Sequence, residues 1–168
     1  HGRDRRQRQM CIRDRFIFCK GANYIPHEVD LSKITPENTR EILSKAVDAN
    51  MNMIRVWGGG FYPPDYFYDF CDEMGLMVWQ DFMFACAMYP DYKEFVNSVA
   101  KEFNYQIPRI SSHPSVVLFN GNNEVDVAWK NWGFQVQYAL VRSKQKRIER
   151  AYDHLFKELL PQKVEALT

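Results

Sequence analysis

The 168-residue sequence lacks the long apolar run that a membrane-spanning segment requires, which is about 20 consecutive apolar residues. We therefore expect no membrane partner. It also lacks a marked charge excess: the formal net charge is +1, which gives no reason to expect a nucleic acid or another polyanion as a partner. The four cysteines, Cys11, Cys19, Cys71 and Cys86, form no CxxC pair, so their spacing indicates neither a disulfide framework nor a zinc site.

Residues 1–15 differ in composition from the remainder. They hold six arginines and two aspartates, and they show no hydrophobic period, no helix-cap signal and no apolar core of a secretion signal. This segment resembles non-native adaptor sequence, so we interpret it as a leader and begin the folded domain at residue 16. The alternative, a nucleic-acid-binding arm, depends on this segment alone and is the weaker interpretation.

The remaining sequence alternates between short apolar runs, typical of buried strands, and segments whose apolar residues recur at helical spacing. The pattern predicts four strands, at residues 16–22, 53–60, 76–82 and 115–124. It also predicts a helix after each strand. The first begins at the Thr35-Pro36 cap, the second ends before Gly75, the third ends before Pro108 and the fourth ends at Pro161.

Four strand–helix units in series indicate an α/β fold with a parallel sheet covered by helices. Two architectures fit this order, an open doubly wound sheet and a (β/α)8 TIM barrel. The turn at residues 58–60 leads into Phe61-Tyr62-Pro63-Pro64 rather than into a helix, so it is not a dinucleotide-binding loop. Polar residues instead gather where strands end, as in barrel enzymes. Because a whole barrel needs about 250 residues, we predict that residues 16–168 form the first half of one.

Glu124 is the strongest candidate for catalysis. It follows the Gly-Asn-Asn sequence at residues 121–123, at the end of the last predicted strand, and the indoles of Trp129 and Trp132 are near in sequence. Indoles lower the polarity around a carboxyl group, which suits a general acid, and they can stack on the apolar faces of sugar rings. Asn123 can hydrogen-bond a sugar hydroxyl. The simpler alternative is a surface glutamate after an asparagine-rich turn, which is common in proteins.

Other residues near strand ends have both a functional and a structural interpretation. Trp57 is assigned to sugar contact because three glycines leave space beside it, whereas Trp79 could equally fill the core. Asp81 contacts the substrate, orients its neighbours or simply caps a following turn, and Asn23 is a further candidate for substrate contact. Arg55 lies within a strand, where an unpaired charge is costly, so it needs a carboxylate partner. The catalytic nucleophile is a natural candidate for that partner.

Four segments closely resemble the barrel of the glycoside hydrolase family 2 β-mannosidases: KGANYIP, NMNMIRVWGGGFY, FYDFCDEMGLMVWQDFMFACAMYP and HPSVVLFNGNNEV. The resemblance runs from about Lys20 to Trp132, and RVWGGG, WQDFMFACAMYP and GNNE together make it highly specific. One departure is Phe119, because a tryptophan is expected in the strand before GNNE. Phe119 is expected to point into the core beside the site, so the departure hardly affects the assignment.

The resemblance implies a role for each of several residues. Glu124 would be the general acid/base and Asn123 the contact to the sugar 2-hydroxyl group, while Trp57, Cys86 and Trp132 would line the sugar subsite. The family's nucleophile is a second glutamate on the seventh strand, which this sequence does not reach. We therefore expect the chain to be inactive on its own.

These expectations describe a retaining exo-β-glycosidase that removes terminal β-D-mannose by double displacement, without a metal or an organic cofactor. The closest alternative is the same mechanism on galactose or glucuronic acid, although RVWGGG and FACAMYP favour mannose. A second alternative is a non-catalytic carbohydrate-binding half barrel, against which the Asn-Glu pair argues. His113, which precedes Pro114, is interpreted as structural, and residues 142–150 as a solvated helix face.

Overall fold

An antiparallel hairpin and a parallel sheet make up the strands of the described chain. The computed structural model describes residues 9–12, 15–138 and 141–168. The hairpin consists of β1 (Gln9–Ile12) and β2 (Arg15–Phe18). The parallel sheet contains β3 (Gly21–Tyr24), β4 (Met53–Val56), β5 (Met77–Asp81) and β6 (Val116–Asn120), and each strand pairs with the next one in the sequence.

Helices connect the strands of the parallel sheet and follow its last strand. The connecting helices are α1 (Pro36–Asp48), α2 (Asp65–Met74) and α3 (Lys93–Ser111). After β6 come α4 (Val125–Asn131), α5 (Phe134–Tyr138), α6 (Arg142–Tyr152), a π-helical segment (Asp153–Leu159) and α7 (Leu160–Leu167). The predicted α/β fold with a parallel sheet is confirmed. Within the described ranges, no helix combines the length and the apolar character needed to cross a membrane.

Two predicted helix ends are confirmed by their local geometry. The Thr35 side chain accepts a hydrogen bond from the Asn38 N–H (3.3 Å), and the Asn38 side chain accepts one from the Thr35 N–H (2.9 Å), so the two residues form a reciprocal capping box at the start of α1. Helix α2 ends at Gly75, whose φ of 70° lies in the left-handed region that glycine adopts without strain.

The prediction of a buried first strand at residues 16–22 is wrong. Phe16 and Phe18 belong to the hairpin and are 74% and 54% exposed, and the strand of the parallel sheet begins only at Gly21. Gly21 is required there because a Cβ atom would overlap with the backbone of Met53, its partner on β4. Residues 9–12 lie within the segment interpreted as a leader, and they pair with β2. This pairing does not test whether the segment is non-native, so that interpretation stays a prediction.

Neither proline ends its helix as predicted. Pro108 lies inside α3, its side chain is exposed, and the helix continues to Ser111 because Phe103, Ile107 and Ile110 are fully buried around it. Packing thus outweighs the backbone hydrogen bond that proline cannot form. Pro161 lies in the first turn of α7, where an N–H without a helical partner is normal.

The core lies on one face of the parallel sheet and continues beyond β5. One cluster packs α1 and α2 against the sheet, and it includes Leu43, Ile54, Val56, Phe67, Tyr68 and Val78. A second cluster joins the segment after β5 to α3 and the last helices, and it includes Phe82, Phe103, Ile107, Leu155 and Leu160. Burying each such side chain contributes about 1.5–3 kcal/mol. Because side chains alternate along a strand, Arg55, Trp79 and Asp81 project from the opposite face.

Candidate active site

Arg55 and Asp81 form an ion pair at the carboxyl ends of β4 and β5. The guanidinium donates two hydrogen bonds to the carboxylate, from Nε to Oδ1 (3.2 Å) and from Nη2 to Oδ2 (2.6 Å). Asp81 is fully buried, and the Arg55 side chain is about a quarter exposed. Within the described residues, Asp81 thus supplies a carboxylate partner for Arg55, and a contact between Arg55 and the nucleophile stays a prediction. The strand register explains this pair, because Arg55 lies opposite Trp79 and Asp81 follows on the same face.

Asp81 accepts three further hydrogen bonds. The Trp79 indole N–H (3.0 Å) and the Asn120 side-chain amide (2.7 Å) donate to Oδ1, and the Gly58 backbone N–H (3.2 Å) donates to Oδ2. The Arg55 guanidinium also lies 5.2 Å from the centre of the Trp79 ring, within the range of a cation–π contact. This geometry favours the orienting role for Asp81 over direct contact with a substrate, and the supporting role of Trp79 stays a prediction.

Asn123 connects this ion pair to Glu124. Its Oδ1 accepts a hydrogen bond from Arg55 Nη2 (2.8 Å), and its Nδ2 donates to Glu124 Oε2 (3.1 Å). Asn123 is 6% exposed, whereas Glu124 is exposed. We call Asp81, Arg55, Asn123 and Glu124 the Arg55 network. It presents one carboxylate to solvent and keeps the other buried.

The predicted strand at residues 115–124 is too long, because β6 ends at Asn120. Asn123 nevertheless pairs with the segment after β5: its N–H donates to the Phe84 carbonyl (2.8 Å), and its carbonyl accepts from the Cys86 N–H (3.0 Å). Glu124 then adopts a φ of 59°, in the left-handed region that non-glycine residues seldom occupy. Such a conformation persists when its surroundings fix it, and it often occurs at functional sites.

Cys86 lies beside the same carboxylate. Its Sγ is 3.6 Å from Glu124 Oε2 and 3.4 Å from Asn123 Nδ2. Its φ of 46° also lies in the left-handed region. The backbone of the segment after β5 therefore brings Cys86 to the position at which a subsite residue is expected, and its role in sugar binding stays a prediction.

The space that the glycines were expected to leave beside Trp57 is occupied by its own indole. A Cβ atom at Gly59 would overlap with the six-membered ring of that indole. A Cβ atom at Gly58 would lie 2.6 Å from the Phe82 carbonyl oxygen and 2.9 Å from that of Phe84. The glycines thus allow the indole to fold over the turn and the segment after β5 to pack against it. The reason given for Trp57 is corrected, and its sugar contact stays a prediction.

The remaining candidates lie at the edge of the Arg55 network or beyond it. Asn23 is exposed, and its Oδ1 is 3.5 Å from Arg55 Nη1, at the limit of a hydrogen bond. Trp129 is buried, and its indole N–H donates to Glu149 Oε1 (3.1 Å), so it connects α4 to α6. Trp132 is 48% exposed, and its ring contacts that of Phe134 edge-on, with the ring centres 6.3 Å apart.

Comparisons with known proteins show what the chain is similar to. No protein-family model matches the chain. It is 56% identical to the β-mannosidase of Rattus norvegicus over 117 residues, which are 69% of this chain and 13% of that protein. The crystal structure of a β-D-mannosidase from Dictyoglomus thermophilum superposes with a TM-score of 0.79 at 42% identity, covering 94% of this chain and 18% of that one.

The chain belongs to the β-mannosidase family. It spans 13% of the length of the rat relative, so a β-mannosidase of that size contains much more than these residues. A β-glucuronidase from Bacteroides uniformis superposes with a TM-score of 0.73 over 89% of this chain and 17% of its own, at 17% identity. That likeness extends to the fold alone.

Two residues that contact Asp81 were not assigned to the candidate site from the sequence. Asn120 donates to Asp81 Oδ1 and to the Asn122 carbonyl (2.8 Å), and Gly58 supplies a backbone N–H to Asp81. Asn120 could have been found as the last polar residue of an apolar strand. The hydrogen bond from Gly58 carries no sequence signal, because any residue except proline has the same backbone donor.

His113 lies at the opposite end of the strands. Its Nδ1 is 2.8 Å from Asp72 Oδ2, and its ring stacks on Tyr68 at 5.2 Å, which supports the structural role predicted for it. His113, Asp72 and Asp69 offer three ligand atoms within 4.8 Å of one another. Asp72 already accepts hydrogen bonds from His113 and from the Ser115 N–H (2.8 Å), so its carboxylate is satisfied by protein donors.

Proposed function

We propose that this chain is part of a retaining exo-β-glycosidase that removes terminal β-D-mannose from oligosaccharides or glycoconjugates. The supporting observation is the exposed Glu124 carboxylate, which accepts a hydrogen bond from the amide of Asn123 while Arg55 holds the other end of that amide. The identity to β-mannosidases supports mannose as the sugar. Neither a metal nor an organic cofactor is required by this chemistry, and carbohydrate is the proposed partner.

The proposed fold is the first half of a (β/α)8 barrel, formed by residues 16–168. Support comes from four parallel strands in sequence order with helices between them, and from the polar side chains at their carboxyl ends. In a closed barrel the face that bears Arg55, Trp79 and Asp81 would point inward. Residues 1–15 would remain a leader outside this domain.

Glu124 is proposed to act twice in the reaction. As an acid it protonates the glycosidic oxygen while a nucleophilic carboxylate attacks the anomeric carbon, and as a base it then deprotonates the water that releases mannose. The two carboxyl groups of retaining enzymes are about 5–5.5 Å apart. Asp81 is unsuited to be the nucleophile, because it is buried and hydrogen-bonded to five donors. The family resemblance assigns that role to a glutamate on a later strand.

Asn123 can still reach the sugar 2-hydroxyl group. Its Oδ1 has two lone pairs, of which Arg55 uses one, and one of its Nδ2 hydrogens faces only the weak acceptor Cys86 Sγ. A sugar hydroxyl could replace that sulfur contact. Trp57 and Trp132 would supply stacking surfaces, and Asn23 would lie at the rim.

The sugar specificity is tested with the full-length enzyme and three nitrophenyl β-glycosides that differ only in the sugar: mannoside, galactoside and glucuronide. We expect kcat/KM to be highest for the mannoside, and the first-formed sugar to be β-mannose by proton NMR. A preference for another sugar would contradict the substrate, and first-formed α-mannose would contradict double displacement.

A further inference from the structure

Asp81 can influence the reaction only through its neighbours. A carboxylate has about four lone-pair sites, and the two oxygens of Asp81 already receive five hydrogen bonds while the side chain is fully buried. No acceptor capacity and no surface remain for a substrate. Two of its four donor residues, Arg55 and Asn120, are connected to Glu124 by further hydrogen bonds, which run through different atoms.

The first connection runs through Arg55 to the amide of Asn123. A guanidinium only donates hydrogen bonds, so the Asn123 atom that faces Arg55 Nη2 must be the oxygen. The Asn123 Nδ2 group is thereby turned toward Glu124 Oε2. Asp81 fixes the guanidinium with two parallel hydrogen bonds, which determine the plane and the position of Arg55. The orientation of the amide thus depends on Asp81.

The second connection runs through Asn120 to the backbone before Glu124. One Asn120 amide group donates both to Asp81 Oδ1 (2.7 Å) and to the Asn122 carbonyl (2.8 Å). The Asn122 side chain in turn accepts a hydrogen bond from the N–H of Val125 (3.1 Å), the first residue of α4. These bonds hold the turn on both sides of Glu124, whose left-handed φ needs such support.

We infer that Asp81 is a positioning residue, which aims the Glu124 carboxylate through Arg55 and Asn123 and holds its backbone through Asn120. This inference rests on the proposed function. It differs from a purely structural role in one consequence. A general acid in the wrong position lowers kcat/KM mainly for substrates whose leaving group needs a proton, whereas a loss of folded enzyme lowers kcat/KM equally for all substrates.

The test compares Asp81→Asn with the wild type in the full-length enzyme, on a methyl β-mannoside and on a dinitrophenyl β-mannoside. A displacement of about 1 Å can lower a rate roughly 10²-fold, so we expect about that loss of kcat/KM, which reports the acid-assisted first step, on the methyl glycoside. The loss of kcat/KM on the dinitrophenyl glycoside should be smaller than about tenfold, because this leaving group needs little protonation. Asp72→Asn is the matched control, because it also removes a hydrogen-bonded carboxylate but at the far end of the strands. Its effect should be equal on both substrates.

Equal losses on both substrates for Asp81→Asn would overturn the inference. If that variant does not fold, Asn120→Ala decides, because it leaves the ion pair intact: a larger loss on the methyl glycoside supports the inference, and equal or no loss overturns it. Glu124→Ala separates this inference from the proposed function. If Glu124→Ala loses activity equally on both glycosides, the acid/base assignment fails. If its loss depends on the leaving group and that of Asp81→Asn does not, only the positioning role fails.

Discussion

The substitution Gly59→Ala tests whether the position of the Trp57 indole matters for sugar binding. The added methyl group would overlap with the six-membered ring of Trp57, which is the end of a side chain rather than fixed backbone. Gly59 does not have a positive φ, so an alanine can adopt its backbone conformation, and the substitution introduces crowding without backbone strain. The indole must therefore rotate away while the turn keeps its conformation.

The expected loss follows from the strength of an aromatic contact. A well-placed ring contributes about 0.5–1.5 kcal/mol beyond the area that it buries. If Trp57 stacks on the sugar, its displacement should lower kcat/KM roughly 2- to 12-fold, since about 1.4 kcal/mol corresponds to a factor of ten. The unfolding free energy should change much less than for Gly58→Ala, whose methyl group would meet two backbone carbonyl oxygens at 2.6 and 2.9 Å.

The assay is kcat/KM of the full-length enzyme on an aryl β-mannoside, measured together with the thermal midpoint. Gly75→Ala serves as the control: it strains a left-handed helix end that has open space around it, so it should lower the midpoint and leave kcat/KM unchanged. Unchanged kcat/KM for Gly59→Ala would refute the reasoning, because the indole would then be only a packing element of the turn.

Two further predictions concern stability. Phe103→Ala, at a fully buried site, should lower the unfolding free energy by about 3–5 kcal/mol in urea denaturation. Tyr105→Ala, on the exposed side of the same helix, should change it by less than about 0.5 kcal/mol. Similar losses of unfolding free energy for the two variants would contradict the described core. Burial raises the pKa of Asp72, but hydrogen bonds from Ser115 and His113 outweigh it and bring the pKa below its usual 3.8. The stabilisation by ionised Asp72 is therefore complete above about pH 3.8 and is lost as the pH falls through the lowered pKa. The difference in urea midpoint between wild type and Asp72→Asn should narrow below about pH 3.8. A difference that stays constant down to about pH 2 would contradict this prediction.

The two central strands of the parallel sheet were the most predictable part of the fold. The runs around β4 and β5 are mainly apolar, so the predictions at residues 53–60 and 76–82 overlap the observed strands and miss mainly their ends. The first strand was misplaced because Phe16 and Phe18 look like core residues but are exposed, while Gly21 begins the true strand for a steric reason. The close approach of a neighbouring backbone has no signature in local hydrophobicity.

Helix ends at prolines were less predictable than those at Thr35 and Gly75. A cap acts within one turn, so its signal is local. Whether Pro108 ends a helix depends instead on Ile107 and Ile110, which are buried by residues distant in the sequence. Propensity is a weak prior that such packing overrides.

The candidate site was predictable in its residues and not in its pairing. Glu124 and Asn123 stand out because a polar pair follows an apolar strand. The sequence requires a partner for Arg55, but the choice of Asp81 depends on the register that sets Arg55 opposite Trp79. Register is a property of the assembled sheet, so this ion pair emerges only from the structure.

The most direct test of the central claim, that Glu124 is the general acid/base, is the kinetics of Glu124→Ala in the full-length enzyme with aryl β-mannosides of increasing leaving-group acidity, with and without azide. Removing a general acid should lower kcat/KM about 10²–10⁴-fold on substrates with poor leaving groups and much less on those with good ones, because good leaving groups depart without a proton. Azide should restore turnover and yield β-mannosyl azide, since a small anion attacks the covalent intermediate without help from a base. Equal losses on all leaving groups, with no effect of azide, would contradict the acid/base role.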